Sequence, residues 1–265
     1  EGDTEANRIS HSRCRRRCLR TYSIPKTSHK RQMSGSKKVV LLSTSASELK
    51  GHKTGLWIEE LATPFYLFSA AGFEVTIASI AGGEPPVDAG SKSGDFYTED
   101  CKKFDNDETA QKLFKDSVKF DTIAGSITDY DCIYLAGGHG TCVDFVENKV
   151  LDKALSDMYA AGKVVAADCH GPVGLCGAKK SNGEPLVKGL TVSGFTDDEE
   201  KAVGLTGIVP FLLETKLKEL GGKYVKKDNW AVCVSCDSSG TGTLITGQNP
   251  GSSKACAAAV VTALK

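Results

Sequence analysis

Cys169 and His170 have the residue types of a nucleophile and its base, and they are adjacent in the chain. They follow the apolar run 163–167, which predicts a buried strand, and Gly171-Pro172 then turns the chain. A cysteine on such a strand-to-helix turn is a nucleophile elbow, in which backbone N–H groups favour the thiolate and bind an oxyanion. We therefore predict that Cys169 is an ionised nucleophile. The alternative is a buried, inert cysteine.

A glycine-rich turn, Gly137-Gly138-His139-Gly140, follows a second predicted strand, Cys132–Leu135. Its glycines let the backbone approach a ligand closely, and its N–H groups could form an oxyanion hole. A plain tight turn and a phosphate-binding loop are the alternatives, although the segment lacks the Lys-Ser/Thr ending of a P-loop. Two histidines, His139 and His52, are further candidate bases.

Acidic residues stand at two predicted helix starts. Glu59-Glu60 precedes the segment Leu61–Pro64, and residues 197–200 form a run of four acids. Spacing alone favours a solvated helix end in both places, because the helix dipole stabilises negative charge there. Pro64 either sets a first helical turn capped by Thr63 or lies within a longer helix.

Metal binding is a second chemistry open to Cys169, His170, His139 and Glu60. The chain has neither a CxxC…CxxC nor an HExxH pattern, so the sequence predicts no metal site. Cys233-x-x-Cys236 has a redox spacing, but it falls in a predicted strand, where packing is the expected role.

The candidate residues must be positioned by strands and helices. Along the chain, short apolar runs typical of strands alternate with segments of helical periodicity. Such alternation predicts an α/β fold with a mostly parallel sheet and helices on both faces. Ligand sites in that fold lie beyond the carboxyl ends of the strands, where both turns above fall. The predicted strands are 39–42, 74–79, 132–135 and 163–167, with 230–234 and 243–246 as a hairpin or edge pair; the predicted helices are 57–70, 109–114, 148–161, 210–220 and 253–264.

Charge divides the 265 residues into two parts. Between Ala6 and Lys38 there are eleven Lys or Arg residues and no acid, and residues 1–36 are predicted to be a disordered basic leader. Residues 37–265 are predicted to be a single domain. Between Val39 and Lys265, 22 basic and 30 acidic residues give a charge of −8, which argues against a nucleic-acid surface. No apolar run approaches the roughly 20 residues that a membrane span needs.

Ten cysteines lie scattered in the chain, several of them in apolar stretches, which favours reduced thiols and a cytoplasmic location. The Arg- and Ser-rich leader is also typical of an organelle transit peptide. The alternative is a non-native extension with Met33 as the true start.

Five segments occur in an order that resembles the ThiJ/PfpI superfamily, which has a class I glutamine amidotransferase-like fold. The resemblance covers about residues 37–265 and is to the branch of glyoxalase III enzymes and heat-inducible chaperones. The segments are Gly55–Pro64, Ala136–Gly140, Asp168–Pro172, Gly194–Thr196 with its following acids, and Thr246–Pro250.

The resemblance implies a flavodoxin-like three-layer sandwich that is a homodimer and needs no cofactor. It implies that Cys169 is the nucleophile and His170 its histidine, and that the family's helix acid falls on Glu60 rather than Glu59. The acid that pairs with the histidine falls on Glu200, with Glu199 as a near alternative. Oxyanion and substrate contacts fall on Gly137, Gly138, His139 and Gly171.

The expected function is a glutathione-independent glyoxalase, a cysteine-dependent hydro-lyase that converts methylglyoxal or glyoxal through a hemithioacetal on Cys169. The alternatives are a protein deglycase, a holdase chaperone, a cysteine-based oxidative-stress sensor and a cysteine peptidase.

Overall fold

A computed structural model describes residues 35–265, and Ser36–Lys265 form one compact unit. The predicted leader, residues 1–36, lies almost wholly outside the described residues. The strands are β1 (Lys38–Ser43), β2 (Glu48–Leu49), β3 (His52–Lys53), β4 (Glu74–Ser79), β5 (Val118–Lys119), β6 (Cys132–Leu135), β7 (Val164–Asp168), β8 (Thr191–Val192), β9 (Lys223–Tyr224), β10 (Val234–Asp237) and β11 (Thr243–Gly247). The helices are α1 (Glu59–Ala70), α2 (Glu99–Asn106), α3 (Glu108–Lys115), α4 (Phe120–Ala124), α5 (Thr141–Asp144), α6 (Lys149–Ala160), α7 (Asp197–Ala202), α8 (Leu213–Glu219) and α9 (Ser253–Leu264).

The central sheet has seven strands in the order β10-β11-β7-β6-β1-β4-β5. All neighbours pair in parallel except β10 and β11, which form an antiparallel hairpin at one edge. The two strands that precede the predicted functional turns, β6 and β7, lie side by side. Their carboxyl ends therefore meet, as the parallel fold requires.

Both faces of the sheet are covered. Along β1, Val39 and Leu41 pack into one apolar core, and Val40 and Leu42 pack into the other. This alternation explains why the strand reads as a continuous apolar run. The first core includes side chains of α1, α2, α3 and α9, and the second includes side chains of α4 and α6. The predicted three-layer α/β sandwich is confirmed.

One local prediction at the first helix was wrong, because Trp57 was assigned to its periodicity but precedes α1. Of the two alternatives for Pro64, the structure has the second, in which the proline lies inside a longer helix. Thr63 is not a cap, since its hydroxyl donates to Asp100. Pro64 has no N–H to donate to the Glu60 carbonyl, so this hydrogen bond of the helix is missing.

The last hairpin begins four residues later than predicted, at Val234, and its other strand ends at Gly247. The backbone N–H groups of residues before β10 donate hydrogen bonds to side chains instead of to a neighbouring strand. Trp230 N–H donates to Glu199, and Cys233 N–H donates to Ser252 Oγ. Within residues 35–265, the structure has no helix whose length and apolar character would suit a bilayer crossing.

Candidate active site

The turn after β7 holds Cys169 in a left-handed backbone conformation with φ of 54°. Residues with a β-carbon rarely adopt this conformation. Its N–H donates to Gly247 O at 3.1 Å and to Asp168 Oδ1 at 3.0 Å. A 3₁₀ helix over Gly171–Cys176 follows, with Pro172 in its first turn. The geometry is that of a nucleophile elbow, although a short 3₁₀ helix follows it rather than an α-helix.

His170 connects the sulfur to a carboxylate. Its Nδ1 lies 3.5 Å from Cys169 Sγ, and its Nε2 lies 2.7 Å from Glu200 Oε2. Glu200 projects from α7, and all three side chains are buried. The structure therefore brings together the nucleophile, the histidine and the acid that the family resemblance implied.

His139 shares the same carboxylate. Its Nε2 lies 2.8 Å from Glu200 Oε1, and its ring centroid lies 4.0 Å from that of His170. In the glycine-rich turn, His139 was predicted to contact substrate. The structure shows in addition that His139 contacts Glu200. Glu200 thus has one oxygen for each of the two imidazoles.

Burial and the interactions among His139, His170 and Glu200 determine which atoms of His170 and Glu200 carry a proton. Burial lowers the pKa of His170 to about 4, and nearby His139 acts in the same direction, against the hydrogen bond with Glu200. Burial opposes ionisation of Glu200, but hydrogen bonds with His139 and His170 lower its pKa to about 2. At neutral pH Glu200 is a carboxylate that only accepts, so neutral His170 donates from Nε2 and its Nδ1 is an acceptor facing the thiol.

Glu60, at the start of α1, is fully buried and interacts with Cys169. Its Oε2 accepts a hydrogen bond of 2.7 Å from Gly137 N–H. Among residues 35–265, its Oε1 has no hydrogen-bond partner. The interaction with Cys169 lowers the pKa of Glu60. Burial and the charge of Asp168 raise the pKa of Glu60 well above its usual range, so the carboxyl group is protonated near neutral pH.

Burial opposes the predicted resting thiolate at Cys169. Burial raises the pKa of the thiol well above its usual range, and the carboxyl group of Asp168 acts in the same direction. The thiol therefore keeps its proton until the proton can pass to His170 Nδ1.

Glu199 has a different task from Glu200. Its carboxylate is completely buried and closes a capping box with Thr196 at the start of α7. Its Oε1 accepts from the backbone N–H of Trp230 and from the side-chain amides of Gln248 and Asn249, at 2.8 to 3.0 Å. Glu199 holds three segments together and makes no hydrogen bond with His170.

The glycine turn after β6 also differs in part from its prediction. Gly137 N–H is engaged by Glu60, so the residue positions an acid instead of binding an oxyanion. A β-carbon at Gly137 would lie 2.6 Å from Glu60 Oε2 and 2.7 Å from His170 N, which only glycine avoids. Within the described part of the chain, the N–H groups of Gly138 and His170 donate to no protein acceptor, which leaves them available to an oxyanion. A β-carbon at Gly171 would collide with the Leu135 carbonyl.

A cavity of about 310 Å³ opens above Cys169, His139 and His170. Sequence patterns did not identify most of its lining, which comes from separate segments: Trp57, Phe96, Phe195, Val203, Trp230 and Pro250. They also missed the role of Asp168, whose buried carboxyl accepts from Cys169 N–H and from Ser253 Oγ. A charged residue at the end of a five-residue buried strand was the available signal for Asp168.

One group among residues 35–265 has the donors and spacing of a metal site: His139, His170 and Glu200, whose ligand atoms lie within 4.8 Å of one another. The two Nε2 atoms donate to the carboxylate, so a metal ion would have to displace both protons. Cys233 precedes β10 and Cys236 lies within it, and both thiols are free.

The fold and this site place the chain among α/β proteins with a buried Cys-His-Glu group at the carboxyl end of the sheet. Residues 52–215 match the family described as "ThiJ/PfpI family-like". The chain belongs to the ThiJ/PfpI family.

Curated relatives are similar over nearly their whole length. The chain is 36% identical to the glutathione-independent glyoxalase HSP31 of Saccharomyces cerevisiae, over 86% of this chain and 98% of the relative. It is 33% identical to glyoxalase 3 of Candida albicans, with the same coverage of 86% and 98%.

Solved structures are also similar to this chain over nearly their whole length. The crystal structure of glyoxalase III from Candida albicans matches with a TM-score of 0.76 and 31% identity, over 86% of this chain and 98% of that one. The Rapid Encystment Protein of 24 kDa from Francisella tularensis matches with a TM-score of 0.80 and 37% identity, over 86% and 99%.

Proposed function

We propose that this protein is a glutathione-independent glyoxalase of the glyoxalase III type, which converts methylglyoxal to lactate and also accepts glyoxal. One observation carries the proposal: Cys169 Sγ lies 3.5 Å from an imidazole nitrogen whose ring is bound to a buried carboxylate, at the floor of a cavity. The names of the similar yeast proteins support the same activity.

The first step forms a hemithioacetal. Cys169 Sγ attacks the aldehyde carbon while the thiol proton passes to His170 Nδ1, and Glu200 stabilises the imidazolium through Nε2. The carbonyl oxygen takes a proton from the neutral Glu60 carboxyl group, and the N–H groups of Gly138 and His170 are placed to bind that oxygen. Return of the histidine proton to Glu60 restores both groups.

The second step moves hydrogen between the two substrate carbons. Neutral His170 removes the proton from the carbon bonded to sulfur, which gives an enediolate, and returns it to the neighbouring carbon, while the hydroxyl proton on the first carbon passes to the oxygen on the second. The product is a thioester of a 2-hydroxy acid. Water then cleaves the C–S bond, releases lactate and regenerates the thiol, so methylglyoxal plus water gives lactate and one proton.

The proposal includes the hydro-lyase class, a homodimer in line with the family resemblance, and no cofactor, since each proton transfer has a protein group. The eight cysteines among residues 35–265 are all free thiols, which supports a reducing compartment. We therefore place the protein in the cytoplasm, with organelle import by the leader as the alternative.

The test is lactate formation from methylglyoxal in the absence of glutathione. We expect Cys169→Ala to remove turnover and Glu60→Gln to lower kcat by about 100-fold, because the variant loses an acid that acts in the transition state. Cys236→Ala is the matched control, because this thiol is exposed and lies outside the cavity. Unchanged rates in both active-site variants would refute the assignment.

A further inference from the structure

The cavity above Cys169 is larger and more apolar than methylglyoxal requires. Its volume is about 310 Å³, at the lower end of the range for pockets that bind drug-sized ligands. Methylglyoxal has five heavy atoms and occupies on the order of 100 Å³, given about 30 Å³ for a water molecule in the liquid. Apart from the thiol and the two histidines, the side chains that line the cavity carry no charge or hydroxyl group.

Four aromatic rings that line this cavity contact one another in a chain, and we call them the aromatic collar: Trp57, Phe96, Trp230 and Phe195. Successive ring centroids lie 5.1, 6.4 and 5.8 Å apart, within the usual range for aromatic pairs. Phe195 in turn lies 4.4 Å from the His170 ring. The collar is thus continuous from the solvent side of the cavity to the catalytic histidine.

The outer part of the collar is exposed. Phe96 is 41% and Trp230 is 42% exposed, and Val203 beside them is 41% exposed. Isolated apolar side chains at a surface are ordinary, but three together at the mouth of one pocket mark a binding surface. A ligand that covers them gains free energy from the apolar area it removes from water.

The backbone is held in an unfavourable conformation to present Trp230. Trp230 has φ of 66°, in the left-handed region that bulky residues avoid. Its N–H is fixed at 2.8 Å by Glu199 Oε1, the same buried oxygen that binds Gln248 and Asn249. Strain of this kind persists where the surrounding structure over-determines it, and it clusters at active sites, ligand clamps and switch regions.

We propose that the aromatic collar is a binding subsite for a flat apolar substituent, so that the preferred substrates are 2-oxoaldehydes that carry an aryl group. The inference rests on the proposed glyoxalase function. The aldehyde carbon meets Cys169 as before, and the aryl group replaces the methyl group among the rings. For phenylglyoxal the balance is unchanged: phenylglyoxal plus water gives mandelate and one proton.

The first experiment compares kcat/KM for phenylglyoxal and methylglyoxal without glutathione. We expect the unmodified protein to favour phenylglyoxal by at least tenfold. Phe96→Ala and Trp230→Gly should each reduce that ratio at least fivefold, chiefly through the KM of phenylglyoxal; glycine is chosen at 230 because it tolerates the left-handed backbone. Val232→Ala is the control, because Val232 is 47% exposed in the same loop but does not line the cavity. A ratio near one, or a ratio that neither collar variant alters, would overturn the subsite.

A second experiment separates the subsite from the chemistry. Binding of mandelate and of lactate to the Cys169→Ala variant is measured by calorimetry. The collar is supported if mandelate binds at least tenfold more tightly than lactate and if adding Trp230→Gly reduces this preference. That support holds even if the protein converts neither oxoaldehyde. Failure to convert them would reject only the glyoxalase assignment. Equal binding of the two acids would overturn the collar whatever the turnover.

Discussion

Glu200 is the residue on which the proton arrangement of the site depends. A carboxylate that accepts from two imidazoles fixes the Nε2 protons of both, and this leaves His170 Nδ1 to receive the thiol proton. The neighbouring His139 also matters, since it lowers the pKa of His170. The two histidines are therefore coupled through contact and through a common partner.

This coupling predicts a shifted pH profile for His139→Asn. In the unmodified protein the pKa of His170 is about 4, so kcat/KM should fall only as the pH drops towards 4 and the base becomes protonated. Asparagine can still donate to Glu200 but carries no charge, so the pKa of His170 rises and the acidic limb moves up by about one pH unit. The measurement is the pH dependence of kcat/KM, with His52→Asn as the control outside the site. Coincident acidic limbs would contradict the coupling.

At the scale of elements, two adjacent strand ends and two helices converge on one sulfur. The turn after β6 supplies Gly137, whose N–H binds the Glu60 carboxyl group of α1. The turn after β7 supplies Cys169 and His170, and α7 supplies Glu200. The close approach of the β6 turn to both Glu60 and His170 leaves no room for a side chain at Gly137.

Gly137→Ala should therefore disable the enzyme, because the added β-carbon collides with the Glu60 carboxyl group and with the backbone of the β7 turn. The new β-carbon would lie 2.6 Å from Glu60 Oε2, so the acid must move. We expect a loss of kcat of about 100-fold, the effect of a displacement near 1 Å on a catalytic group. Gly125→Ala serves as control, because nothing lies within 4 Å of its added carbon. Equal kcat values for the two variants, with circular dichroism confirming folding, would contradict the argument.

Sequence patterns identified the sheet because buried parallel strands such as β1 and β6 are short apolar runs. They identified the elbow because a Cys-His pair directly follows such a run. They placed Glu60, Glu199 and Glu200 in solvent, since periodicity cannot detect burial that depends on distant partners. Only the family resemblance placed Glu60 and Glu200 in the site, and the collar is assembled from segments whose proximity no local pattern encodes.

For the molecule as a whole, the proposed chemistry exposes the protein to its own substrate. Adjacent carbonyl groups condense with the guanidinium group of arginine, and residues 39–265 contain 22 lysines and no arginine. The net charge of this region is −8, and all of its 22 Lys or Arg side chains are lysine ammonium groups. The folded domain therefore lacks the side chain that dicarbonyls modify most readily.

We expect prolonged methylglyoxal treatment to place stable arginine adducts only within residues 8–31, where all the arginines of the chain occur. Peptide mapping by mass spectrometry measures this directly, together with the turnover that remains. The control is Lys149→Arg, at a position where the lysine side chain is 83% exposed, which should gain an adduct at that site. Rapid loss of turnover that tracks lysine adducts would contradict the protection.

The backbone of Cys169 has one more consequence. Glycine populates φ of 54° freely, whereas a residue with a β-carbon incurs a cost of roughly 1–2 kcal/mol there. Cys169→Gly should thus melt at a higher temperature than Cys169→Ala while being equally inactive. The cysteine at this bend thus stores backbone strain that a glycine would release, and releasing it would remove the reactive sulfur.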